Sequence, residues 1–223
     1  MYDINEFKEL YIKLESWANA KYGKDGMRSI EDEHSDGKVR YDMKYFRNIR
    51  NVLTHNPNGC NPLVELTDEF KLRFEGLCNR LMSSIMQVAV PYANIYKREM
   101  SDRVMPTIVR MKEKAYSHVP IMNAKKLWGV FSETALFNIV GDGNIAMINE
   151  EARLFEIGKY VTGDINGEFY DFIGEDASIE DARMRFYEAV EKNRRLELLC
   201  ITTNGNKSGD LVAIVTIWDM AGV

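Results

Sequence analysis

The stretch RNIRNVLTHNP at residues 47–57 sets Arg50-Asn51 ahead of His55 in a chain that holds three histidines. That combination can act on a phosphodiester. A guanidinium grips phosphate oxygens with two parallel hydrogen bonds and stabilises the charge that develops there, with no metal needed. An imidazole can pass a proton to or from a ribose oxygen. If His55 closes a helix, the helix dipole favours its imidazolium while neighbouring cations oppose it, and the balance leaves it titrating near neutrality. Asn51, one turn earlier, can orient the imidazole or the substrate.

The element that must position them is a helix from about Val39 to His55, ended by Pro57, which disfavours helical geometry at Asn56. At about 100° per residue, Val39, Met43, Phe46, Ile49 and Leu53 share one arc, and Arg50 falls inside it. An arginine there needs a partner. Two readings stay open: Arg50 serves a ligand, or it pairs with an acid such as Glu15 while His55 caps the helix. Arg40, Lys44, Arg47, Asn51 and His55 line an adjacent face as a cationic stripe with no acid among them, a candidate RNA-binding track. Arg47-Asn48 is a second Arg-Asn pair, too far from His55 to match the first.

The net charge of −5 argues against coating nucleic acid by bulk electrostatics, which is why a local basic patch matters. Cys60, Cys78 and Cys200 form no CxxC pair and suggest neither a disulfide framework nor a zinc site, consistent with a reducing cytoplasm. MYDINEFKEL is too polar for a signal peptide, and the longest apolar run, 211–218, is too short to span a bilayer. A cytoplasmic protein without membrane contact is expected.

Along the chain, Ile4, Phe7, Leu10, Tyr11, Leu14, Trp17 and Ala18 recur at helical spacing, with Asp3 and Glu6 as a capping box. Residues 23–38 read as an exposed loop. A third helix is predicted from Thr67 to Pro91, with Phe70, Phe74, Leu77, Leu81, Ile85 and Val88 on one face. After it the pattern turns to short apolar runs alternating with helices. The expected fold is therefore multi-domain: an all-α bundle over 1–92 and an α/β domain over 93–223.

Within 93–223 one unit occurs twice. The first copy reads as NIYKR, a helix within SDRVMPTIVRMKEKAY, then HVPIM, LWGVF and helix SETALFNIV. The second reads as FYDFI, a helix within ASIEDARMRFYEAVEKN, then LLCIT and LVAIV, closing on TIWDM. This β-α-β-β-α duplication resembles a pair of CBS domains, a Bateman module. The resemblance implies adenine nucleotide as regulatory ligand, with the hydroxyl of Thr216 on phosphate and the carboxylate of Asp219 on the ribose hydroxyls. The first copy has Ser132 but Ala135 in the acid's place, so the two sites should be unequal. A carboxylate can accept from both ribose hydroxyls, and a helix start favours phosphate. The alternative is that Thr216 is an N-cap and Asp219 a solvated first-turn acid. Four residues follow Asp219, so the helix usual after it is expected to be nearly absent. His118 reads as a residue leading into a strand.

Arg50-Asn51-x-x-x-His55 is similar to the signature of HEPN domains, small helical modules that often act as metal-independent ribonucleases, over about residues 1–90. That resemblance implies catalytic Arg50, Asn51 and His55, a single-stranded RNA substrate and no metal. Both resemblances imply a homodimer. The combined expectation is a metal-independent endoribonuclease regulated by nucleotide at the CBS-like pair. Its rival is a non-catalytic nucleotide sensor or dimerisation module that signals to a partner protein.

Overall fold

The computed structural model describes residues 1–54, 65–162 and 168–221. Two compact units divide between Ser83 and Ser84, upstream of the junction expected at Tyr92. The first is helical. Helix α1, Ile4–Tyr22, opens on Asp3, whose carboxylate accepts from the Asn5 amide at 2.6 Å. Glu6 pairs with Lys71 at 3.7 Å. Gly23 stops α1 with φ 87°, a conformation that costs glycine nothing.

The expected loop over 23–38 contains a helix, α2, Gly26–Glu33. Its sequence GMRSIEDE carries too few apolar residues to show a face, yet Ile30 and Gly26 are buried. A Cβ at Gly26 would collide with the Ala18 backbone, so glycine lets α2 cross α1 in near contact. The motif helix α3, Gly37–Thr54, follows, and Thr67 caps α4, Asp68–Met82, by accepting from the Phe70 amide at 3.1 Å. Among the described residues of this unit, four helices thus stand where three were read.

Their core is an aromatic cluster. Phe7 and Phe46 meet Phe70 and Phe74 edge-on or tilted, with Phe7 and Phe74 at 4.7 Å and Phe46 and Phe74 at 4.8 Å between centroids, while Phe70 and Phe74 stack at 6.4 Å. Val39, Met43, Phe46 and Leu53 bury the predicted arc of α3. On the same helix Asp42 is buried and pairs with Arg73, whose guanidinium lies over Tyr45 at 5.0 Å. A buried acid satisfied this way fixes α4 against α3.

The second unit holds the duplication. Strand β1, Val90–Pro91, precedes the first copy: β2, Arg98–Glu99; α5, Val104–Lys114; β3, His118–Asn123; β4, Lys126–Ser132; α6, Glu133–Gly141. The second copy is β5, Glu168–Gly174; α7, Ile179–Glu191; β6, Arg195–Thr202; β7, Leu211–Val215. In each copy the first strand runs parallel to the second and the second antiparallel to the third. The sheets are ordered β2-β3-β4 and β1-β7-β6-β5. Ile95, Met122, Leu127, Leu198, Cys200 and Leu211 form one buried cluster drawn from both copies.

Each copy also completes its partner. The segment before the first copy lies on the second: Ile85 donates to the Ala177 carbonyl at 3.0 Å, and Val90 pairs with Ile214 of β7. The segment before the second copy lies on the first: Leu154 donates to Asp102 at 2.9 Å, and Val161 accepts from Val130 of β4 at 2.8 Å. This exchange explains why the third predicted helix ends early. It stops at Met82, Ser83 turns extended, and Ile85 belongs to the core of the second copy.

Among the described residues no helix is long and apolar enough to cross a membrane. Gly26→Val should push α2 away from α1 and destabilise the helical unit by about 1–3 kcal/mol, the usual cost of overpacking. Urea unfolding followed by tryptophan fluorescence measures it, since Trp17 lies in the affected helix.

Candidate functional site

The motif helix delivers Arg50 and Asn51 to the wall of a cavity of about 210 Å³ that is also lined by Tyr11 and Glu15 of α1 and by Arg28 and Glu31 of α2. Arg50 is half-buried, as an arginine inside an apolar arc must be. Its guanidinium lies over the Tyr11 ring at 5.7 Å and donates to Asn51 Oδ1 at 3.4 Å. The pairing with Glu15 is not formed: both residues face the cavity, and among the described residues neither has an ion-pair partner. His55 lies outside the described residues, so its place beside Arg50 is not described.

The cations along α3 have partners from outside their own helix. Helix α2 sets acids against it: Glu31 pairs with Arg47 at 2.5 Å and Asp32 with Lys44 at 3.1 Å. Arg40 donates to the carbonyls of His34 and Ser35, the latter at 3.0 Å. The acids that meet Lys44 and Arg47 come from the neighbouring helix, which the sequence reading took for a loop.

Glu31 is the unusual group. Its side chain is 1% exposed, one carboxylate oxygen meets Arg47, and Oε1 is buried with no hydrogen-bond partner. Leaving such an acceptor unmet typically costs about 1–3 kcal/mol. Burial raises the Glu31 pKa above the ordinary range, with Arg47 opposing the shift. Burial, helped by Glu31 and Glu15, also pushes Tyr11 up to about 12, so it faces the cavity as a neutral phenol. Asp32 is held below the usual range, chiefly by its hydrogen bond to Lys44.

In the second unit, Ser132 and Thr216 sit at equivalent strand ends and do different things. Ser132 caps α6, its buried hydroxyl oxygen accepting from the Ala135 amide at 3.0 Å. Thr216 donates both its amide and its hydroxyl to Asp219 Oδ2, each at 2.7 Å. Residues 217–221 form turns in place of a helix. Trp218, which the sequence reading passed over, stands 83% exposed next to Asp219. His118 begins β3 as expected, with Ser117 Oγ at 2.8 Å from one ring nitrogen and Glu197 at 3.6 Å from the other. Among the described residues no cluster of His, Cys, Asp or Glu is arranged to hold a metal ion.

No protein-family model matches the chain, and no curated protein does. Solved structures similar to it include CBSX2 in complex with AMP, at 15% identity and TM-score 0.47, covering 63% of this chain and 94% of that one. CbpB in complex with c-di-AMP matches at 14% identity and TM-score 0.47, covering 65% and 85%. A signal-transduction protein with CBS domains from Burkholderia ambifaria MC40-6 matches at 17% identity and TM-score 0.44, covering 62% and 90%.

The folded chain binds the Glu31 proton more tightly than the unfolded chain does. The stability contributed by this group is therefore fully present below its ordinary value of 4.5 and lost as pH rises through the raised one. Glu31→Gln should stabilise the helical unit relative to wild type by an amount that grows as pH rises from 4.5 through the raised value and then levels off. Paired urea titrations from pH 4 to 8 check this; a difference that is flat with pH contradicts it.

Proposed function

We propose that the chain is a nucleotide-responsive ribonuclease, in which adenine nucleotide bound by the duplicated α/β unit regulates RNA cleavage by Arg50, Asn51 and His55. The observation that carries the reading is Arg50. Its guanidinium is half-buried at a cavity wall without a carboxylate partner among the described residues, an arrangement suited to an incoming anion. The residues then divide the work. Arg50 holds the scissile phosphate and its developing charge, and His55 moves the proton as the 2′-oxygen attacks and the 5′-oxygen leaves. Asn51, hydrogen-bonded to Arg50, keeps the guanidinium oriented. Single-stranded RNA suits the reaction because in-line attack needs a flexible backbone. Arg40, Lys44 and Arg47 join as an RNA track when phosphates replace their carboxylate and carbonyl partners. A homodimer, as both resemblances imply, would bring two such sets together.

For the nucleotide, Thr216 and Asp219 are the stronger pair. Asp219 Oδ2 is occupied by Thr216 while its other oxygen is unclaimed among the described residues, which suits a ribose hydroxyl. Ser132, tied up as a cap and lacking an acid at Ala135, gives a weaker second site.

A second reading, a non-catalytic sensor signalling to a partner protein, is favoured by one observation: Lys44 and Arg47 are neutralised within the fold. Incubating the purified chain with labelled RNA in EDTA separates the two. His55→Ala and Arg50→Ala should each lower the cleavage rate by about 10²–10⁴-fold with the fold intact by circular dichroism. Equal cleavage by wild type and both variants leaves the sensor reading.

Calorimetry with AMP, ATP and c-di-AMP should show one dominant site per chain. Asp219→Ala should weaken it by about one to two decades, the loss of a charge-assisted hydrogen bond, while Ser132→Ala changes it little. Damage from Ser132→Ala in place of Asp219→Ala would reverse the assignment of the copies.

A further inference from the structure

We infer that Glu15 is the residue by which the helical unit tells ribose from deoxyribose, accepting a hydrogen bond from a 2′-hydroxyl whose neighbouring phosphate lies on Arg50. The inference rests on the RNA-binding reading of the same site. Glu15 of α1 and Arg50 of α3 line one cavity, and the ion pair open to them is not formed. Opposite charges that share a cavity without meeting leave room for a group that is anionic at one end and a donor at the other. A carboxylate only accepts and a guanidinium only donates, so each needs the ligand to supply what the other cannot. Ribose with its 3′-phosphate supplies both, on adjacent carbons.

A second observation points the same way. Glu31, buried to 1% exposure and carrying an Oε1 with no hydrogen-bond partner, also lines this cavity. Glu15, Asp25 and Glu31 line the cavity beside Lys24, Arg28, Arg47 and Arg50, so it offers carboxylate acceptors for a hydroxyl next to guanidinium donors for a phosphate. The volume of about 210 Å³ fits a sugar–phosphate link, being smaller than the ~300–1,000 Å³ pockets that hold whole drug-sized ligands. Deoxyribose offers no donor, and a site built to bond a hydroxyl rejects the analogue that lacks it because its own acceptor is left unmet. The 2′-hydroxyl is the group by which proteins distinguish RNA from DNA at a given position.

The test uses the full chain carrying His55→Ala, so that RNA stays intact, in EDTA. Fluorescence anisotropy is measured with one single-stranded sequence made as RNA and as DNA. RNA should bind about 10- to 100-fold tighter. Adding Glu15→Ala should bring the ratio close to one while DNA affinity holds or rises, because a charge that repels phosphate is gone. Glu15→Gln, which keeps an acceptor, should retain part of the preference. A merely structural role would weaken both oligonucleotides and leave the ratio alone. An RNA-to-DNA ratio unchanged by Glu15→Ala overturns the inference. Binding of neither oligonucleotide overturns it together with the RNA reading. If the ratio depends on Glu15 but the wild-type chain does not cleave RNA, the cleavage reading falls and this one stands.

Discussion

The Glu31–Arg47 ion pair is the constraint on which the helical unit is organised. It joins the short polar helix α2 to the motif helix α3, and it exists because Gly26 lets α2 lie against α1 without a side chain between them. Once there, α2 closes one wall of the Arg50 cavity and neutralises cations that α3 alone would leave exposed. A pair with one buried carboxylate adds little net stability, because the desolvation of Glu31 offsets much of the Coulomb attraction. What it does add is selection. Of the two arginines lining the cavity from α3, Arg47 is paired with an internal carboxylate, whereas Arg50 has no carboxylate partner among the described residues.

In the α/β unit the comparable constraint is covalent order. Two copies with the same strand directions face each other, and each is completed by the segment that precedes the other. Ile85 is fully buried in the second copy and Leu154 in the first, so neither core closes on residues of its own copy alone. One asymmetry between the copies lies at the strand ends. There Ser132 meets a backbone amide, whereas Thr216 meets a carboxylate.

Most of the α/β architecture was legible because strands and helices there carry strong local signals: HVPIM, LWGVF and LVAIV are apolar runs of strand length bounded by turn residues. Helices α1 and α3 were legible from their period. The end of α4 was not, since Ile85 and Val88 continue the helical spacing of Phe74 and Leu81 while being buried against a different partner. Helix α2 was invisible for the opposite reason. GMRSIEDE buries only one large apolar residue, and its remaining contribution is a carboxylate whose burial no periodicity announces. With α2 missed, the stripe of Arg40, Lys44 and Arg47 looked unopposed, and Glu31 could not be weighed at all. The capping bond of Ser132 was within reach of sequence, because a serine before a helical run caps more often than it binds.

The reciprocal completion of the two copies has a consequence for the order in which the polypeptide matures. A chain emerging from the ribosome presents Ser84–Pro91 long before Ala177 and β7 exist to receive it. The first copy can collapse with the segment around Leu154 soon after that segment is made, yet the residues leading into it remain unanchored until the second copy is nearly complete. The junction that follows the helical unit is therefore among the last parts of the α/β unit to become ordered, and a nascent chain arrested before β7 carries Ile85 and Val88 as exposed apolar residues for chaperones or proteases to find.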